Sequence, residues 1–177
     1  MMARFMLPIA AVLGLAVVLM IGLTRDPSEL PSPFIDKAAP TFNLPSLTRP
    51  GQRVASDDFV GQMVLVNIWA TWCVGCRQEH EFLNQLQQQN VIPIFGINWR
   101  DNRNDATRWL RELGDPYVDS GYDGDGRVGI DWGAYGAPET FLINAQGIVL
   151  YKHLGPLNSF VWESVFVPLI AAEETAG

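Results

Sequence analysis

The sequence predicts one α/β domain, a central mixed sheet flanked by helices, preceded by a single N-terminal transmembrane helix. Three observations carry that expectation. Residues 5–23 form an uncharged run of nineteen residues. Residues 63–69 (Met-Val-Leu-Val-Asn-Ile-Trp) and 91–97 are apolar almost throughout, as strands covered on both faces are, and the stretch between them has helical spacing. Residues 140–144 and 148–153 are two further apolar runs joined by Ala145-Gln-Gly147, a hairpin signal, with an amphipathic helix behind them.

The first run is about long enough for a helix to cross a hydrocarbon core of roughly 30 Å, so residues 5–24 are expected to be an anchor. A secretory signal has a shorter apolar region, about 7–15 residues, and ends in a small-x-small pair. This run ends Ile21-Gly-Leu-Thr-Arg25 without one, which favours an uncleaved helix. Arg4 and the terminal amine favour an N-terminus inside. The remainder then lies outside the cytoplasm, where thiol–disulfide chemistry is at home. Residues 25–36, with Pro27, Pro31 and Pro33, read as a linker, and 37–177 as one domain. The net charge of −7 and the scattered Lys and Arg residues argue against a nucleic-acid partner. A tethered monomer is the expectation.

Within the domain, residues 41–44 suggest a short edge strand ending at Pro45. Ser56-Asp-Asp-Phe59 suggests a capped turn leading to Gly61. The strand at 63–69 leads into a helix over 74–89, whose stripe of Phe82, Leu83 and Leu86 continues back through Glu79 to Cys76 and Gly75. The strand at 91–97 carries Pro93. Asn104 is placed to cap a helix bearing Ala106, Trp109, Leu110 and Leu113, with Gly114 and Pro116 ending it. Asp123-Gly-Asp-Gly126 begins like a calcium loop, but Arg127 occupies the third ligand position, so a turn and helix cap is the reading. Residues 129–135 read as a short helix or irregular segment. The last helix, capped by Asn158 or Ser159, carries Val161, Trp162, Val165, Phe166 and Leu169, and Pro168 is expected to kink or break it. Strand, helix, strand, helix, hairpin, helix is a thioredoxin-like order.

Trp72-Cys73-Val74-Gly75-Cys76 falls at the junction of the first core strand and its helix, and holds both cysteines of the chain. Cys-x-x-Cys in that position points to redox chemistry. Cys73 sits at the helix N-terminus, where unpaired N–H groups and the helix dipole favour a thiolate, the nucleophilic form. Cys76 lies one turn on, on the inner face, where it can attack Cys73 once a mixed disulfide exists. A structural disulfide closing so small a loop constrains the unfolded chain little. Zinc needs two more ligands, and His80 and His153 are not at zinc-like spacing. Covalent haem attachment needs His at position 77, which is Arg. No metal or cofactor beyond the Cys73–Cys76 pair is expected.

Glu79 has two readings. On an exposed first turn it merely suits the dipole. The apolar stripe favours the other, a half-buried acid below Cys76 with a raised pKa, able to take and return the thiol's proton. Tyr135-Gly-Ala-Pro-Glu-Thr140 stands directly before the hairpin. Most X–Pro bonds are trans, so the residues alone leave the isomer of Pro138 undecided.

Trp-Cys-x-x-Cys-Arg-x-Glu-His (72–80), Tyr-Gly-Ala-Pro-Glu-Thr-Phe-Leu-Ile (135–143) and the Tyr-Asp-Gly-Asp-Gly stretch (122–126) resemble the membrane-anchored thiol:disulfide interchange proteins of cytochrome c maturation, the CcmG/DsbE type. The resemblance runs from Pro33-Phe34 to about Leu169 and includes the anchor. It implies a single-pass inner-membrane protein with a thioredoxin-like domain in the periplasm. That domain would keep the haem-binding cysteines of apocytochrome c reduced, directly or through a maturation component. A transmembrane reductant of the DsbD or CcdA type would recharge it. The resemblance also implies that Pro138 is cis and faces the cysteines, so that Ala137's backbone can pair with an extended partner segment. Trp72, Tyr135 and Glu139 would belong to the same substrate-binding rim, and Glu79, Asp101 and Glu139 would make the surroundings acidic. Family members commonly have Pro after the first cysteine, whereas Val74-Gly75 stands between the pair here. That dipeptide tunes the potential, so reductant over oxidant rests on the second motif and the acids. A general periplasmic oxidant or isomerase, and a non-catalytic module that presents apocytochrome, are the alternatives.

Overall fold

The computed structural model describes residues 12–20 and 34–176. The chain divides into a unit at 1–30 and a second at 31–177. Of the expected anchor, residues 12–20 are described; they are helical and exposed, and the rest of 5–24 lies outside the described residues. Among the described residues no helix is long and apolar enough to cross a membrane. The expected linker also lies outside them, up to residue 33.

In the second unit, five strands form one mixed sheet: β3 (Val64–Trp69), β4 (Ile94–Trp99), β5 (Asp119–Asp123), β6 (Glu139–Ile143) and β7 (Val149–Leu154). Their spatial order is β5-β4-β3-β6-β7. The β3–β4 and β4–β5 pairs are parallel, and β3–β6 and β6–β7 antiparallel. A separate antiparallel pair joins β1 (Asn43–Pro45) to β2 (Arg53–Ala55), and a 3₁₀ turn (Ser56–Phe59) follows. The helices are α1 (Val74–Gln88), α2 (Arg103–Leu113), α3 (Arg127–Asp131) and a composite α4 over 159–176. The thioredoxin-like architecture with a central mixed sheet is therefore present.

β3 is buried along its whole length because both sheet faces are covered. Val64, Val66 and Ile68 point into a core with Phe42, Phe59, Phe95, Trp132 and Phe141. Leu65 and Trp69 point the other way, into a core with both cysteines, Leu83 and Leu86 of α1, Trp109 of α2 and Trp162 and Phe166 of α4. Asn67 shares that second face by its period of two. The face carrying α1 is thus the face on which β3 presents a polar side chain.

Several elements depart from expectation. Asp119-Ser-Gly-Tyr-Asp123 is an edge strand, although it lacks an apolar run. Its polar groups are taken up locally: Ser46 Oγ donates to Asp119 Oδ1 at 2.7 Å, Arg49 pairs with Asp119, and Trp69 Nε1 donates to Ser120 Oγ at 3.0 Å. Asp123 ends this strand and also caps α3, accepting from Gly129 N at 2.9 Å, so the turn-and-cap reading describes only its second half. The cap of α2 is Asn102, not Asn104: its Oδ1 accepts from the N–H groups of Asn104 and Asp105. β4 begins after Pro93 and runs on to Trp99, since Pro cannot donate to a central ladder. Pro168 neither ends nor breaks α4. A π-helical turn at Trp162–Phe166 leads into Val167–Ala176, and the helix continues; such a turn accommodates the lost i→i−4 bond at proline.

Candidate active site

Cys73 is the N-cap of α1, and it and Cys76 form a disulfide with Cα atoms 5.3 Å apart. Strand β3 ends four residues earlier, and the cap is where the extended chain turns helical. The Cys76 N–H donates to Cys73 Sγ at 2.9 Å. In the reduced protein that donor and the helix N-terminus would lower the Cys73 thiol's pKa. Both cysteines are nearly buried, with Cys76 the deeper.

The approach to Cys73 is held by Asp101, from the loop after β4. Its carboxylate accepts from Thr71 N and Thr71 Oγ1, both at 2.6 Å, and from Asn98 Nδ2 at 3.0 Å. Asp101 thus fixes the segment that delivers the first cysteine. Trp72 is 53% exposed, its indole donating to Arg100 O at 3.1 Å and lying beside Trp99.

The Ala137–Pro138 bond is cis. Pro138 packs on the first turn of α1 at Gly75, where a Cβ would stand 2.8 Å from Pro138 Cδ and 3.1 Å from Pro156 Cγ. The missing side chain at 75 is what lets two prolines from distant loops close on the disulfide turn. Ala137 is half-buried in the same loop, and Tyr135 is 68% exposed.

Glu79 is 1% exposed. Its Oε1 accepts from Asn67 Nδ2 at 2.9 Å and its Oε2 from Leu157 N at 2.8 Å. Burial pushes its carboxyl up to about 7; the Leu157 and Asn67 donors pull the other way but do not offset it. Glu79 and Cys76 are three apart on one face of α1, so an acid poised near neutrality lies one turn beyond the inner sulfur.

Glu139 is placed differently from the expectation of a rim carboxyl. It is buried, with Oε1 accepting from Tyr135 N at 2.7 Å and Gly136 N at 3.2 Å, and with Lys152 Nζ 2.9 Å from Oε2. It holds the proline loop from inside and is not offered to a partner. Lys152 also donates to Gly133 O at 2.8 Å and lies over the Tyr135 ring. His80 is a core residue: Nε2 donates to Gly114 O at 2.9 Å and Nδ1 accepts from Trp109 Nε1 at 3.2 Å. Burial pushes its pKa down, against the pull of the Gly114 carbonyl. Among the described residues no group of three or more His, Cys, Asp or Glu could hold a metal.

Cys73, Cys76, Glu79 and Pro138 therefore surround or underlie one disulfide turn, with Trp72 directly before it; Ala137 and Tyr135 share the loop of Pro138, the Tyr135 ring lying under Lys152. Unforeseen were Asn67, Tyr117, Leu157, Lys152 and Pro156. Asn67 alone left a sequence signal, the single polar residue inside an apolar strand.

Residues 35–164 match the redoxin family model. The thiol:disulfide interchange protein DsbE of Allochromatium vinosum is 45% identical, over 95% of this chain and 93% of that protein. The Escherichia coli K12 protein of the same name is 48% identical, over 93% and 91%. Among solved structures, a secreted thiol-disulfide isomerase from Corynebacterium glutamicum superposes with a TM-score of 0.64 at 28% identity, covering 75% of this chain and 85% of that one. A DsbF homologue from Corynebacterium diphtheriae, at 22% identity, shares the fold with a TM-score of 0.67 over 84% and 96%.

Proposed function

The chain belongs to the redoxin family, among the DsbE thiol:disulfide interchange proteins, and is a thiol:disulfide oxidoreductase; from that premise we propose that it is a reductant in cytochrome c maturation. In this reading residues 5–24 anchor it in the inner membrane and its catalytic domain works in the periplasm. Its substrate is the disulfide of an apocytochrome haem site, or of a maturation component that relays the electrons.

The carrying observation is the Cys73–Cys76 turn with Glu79 one turn beyond, closed over by Pro138 and Leu157. Exchange follows from it. In the reduced protein Cys73, as thiolate, attacks one sulfur of the substrate disulfide. That S–S bond breaks, a mixed disulfide forms, and the departing sulfur takes from water the proton that Cys73 released on ionising. Cys76 then loses its proton to Glu79 and attacks Cys73 Sγ. The mixed disulfide breaks, the second substrate sulfur leaves as a thiol with the proton that Glu79 gives back, and the Cys73–Cys76 disulfide remains. Two electrons and two protons have passed to the substrate, and a DsbD- or CcdA-type membrane reductant restores the dithiol.

Glu79 suits the proton step because a base with a pKa near 7 both takes and returns a proton at neutral pH. Trp72, Tyr135 and the backbone of Ala137 would receive the extended substrate segment, with exposed Val74 beside Cys73 adding apolar surface. Replacing the host's own protein with a Cys73→Ala variant tests the role. Holocytochrome c is then lost, whereas a module that only presents apocytochrome would sustain it.

A further inference from the structure

We infer that Asn67, locked in orientation by Tyr117, is the positioning residue that keeps an N–H aimed at the Glu79 carboxyl. The inference rests on the reading of Glu79 as the proton acceptor for Cys76. Asn67 is fully buried on β3. Its Oδ1 accepts from Tyr117 Oη at 2.9 Å, and its Nδ2 donates to Glu79 Oε1 at 2.9 Å and Thr140 Oγ1 at 3.0 Å. An amide of this kind can sit either way round. Flipped, it would turn its oxygen toward Glu79 and favour a protonated acid.

Tyr117 removes that freedom. Its ring stacks on Trp69, with centroids 5.5 Å apart. Its hydroxyl is buried, and among the described residues Asn67 Oδ1 is the acceptor it reaches. Burial, then the charges of Glu79 and Asp115, push its pKa well above 10, so it stays a donor at any working pH. A flipped Asn67 would strand that hydrogen. The lock therefore presents a permanent donor to Glu79 and opposes the rise that burial causes. Among the described residues, the titratable groups facing Glu79 are Tyr117 and, once reduced, Cys76 of its own helix. Asp115 acts through Tyr117, and the loop before α4 contributes the Leu157 N–H.

The test is carbon-13 NMR titration of the Glu79 carboxyl in the oxidised protein, its resonance identified by loss in Glu79→Gln, beside the pH profile of disulfide exchange. Tyr117→Phe is expected to raise the carboxyl's midpoint by about one pH unit, the size of one weakened hydrogen bond to a charged group. The exchange inflection should move with it. Asn67→Ala removes the donor outright and should shift the midpoint the same way if Tyr117→Phe does not fold. A midpoint that stays put or falls overturns the lock. A shifted midpoint with an unmoved exchange inflection supports the lock and overturns the proton role of Glu79.

Discussion

The backbone N–H of Leu157 donates to Glu79 Oε2 at 2.8 Å, across 78 residues of sequence. It ties the loop before the last helix to the helix that carries the cysteines, and closes water away from the acid. Pro156 of the same loop approaches Gly75. One loop therefore contributes both to covering the disulfide turn and to holding the Glu79 carboxyl.

That burial has a consequence for stability. Glu79's folded pKa is raised from 4.5 to about 7, so between those values the folded state holds a proton that the unfolded chain has released. Stability must then fall as pH rises from about 4.5 to 7, and level off above. The contribution is roughly 3 kcal/mol for a shift of this size. Denaturant unfolding of the oxidised protein at pH 4.5 and 7.5 should show this loss relative to Glu79→Gln. Equal slopes in the two proteins would contradict it.

Lys152 and Glu139 form an ion pair whose side chains are 2% and 4% exposed. Removing one partner leaves a buried charge alone, which costs about 3–5 kcal/mol. Lys152→Met should destabilise the fold by that order in urea unfolding, and the Lys152→Met, Glu139→Gln double variant should recover much of it. Full stability in the single variant would show that the pair does not hold the proline loop.

The proposed direction of electron flow is measurable as the equilibrium of Cys73–Cys76 against glutathione. A reductant should settle well below the DsbA value of about −120 mV, toward the thioredoxin value of about −270 mV. A value near DsbA's would assign the protein as an oxidant.

How far the sequence spoke for itself depends on the range of the forces involved. β3, α1 and the hairpin were legible because their periods of 2 and 3.6 are local. β5 was not: Asp119, Ser120 and Asp123 are satisfied by Ser46, Arg49, Trp69 and the start of α3, so the strand needs no apolar run of its own. The two cysteines and the inward side of Glu79 were readable from position on one helix. Its partners were not, because Leu157 reaches it from 78 residues away and Asn67 is turned toward it by Tyr117, 50 residues from Asn67 in sequence. Glu139 was expected as a second carboxyl near the site, but Lys152, which draws it inside, belongs to the next strand of the hairpin.

The most direct measurement is capture of partners on the Cys76→Ala variant in a host that makes c-type cytochromes. With the resolving sulfur gone, Cys73 should hold its substrate in a mixed disulfide. The account predicts an adduct with an apocytochrome or a maturation component, released by reductant and absent from the Cys73→Ala, Cys76→Ala variant. No such adduct, or one that persists without Cys73, would contradict it.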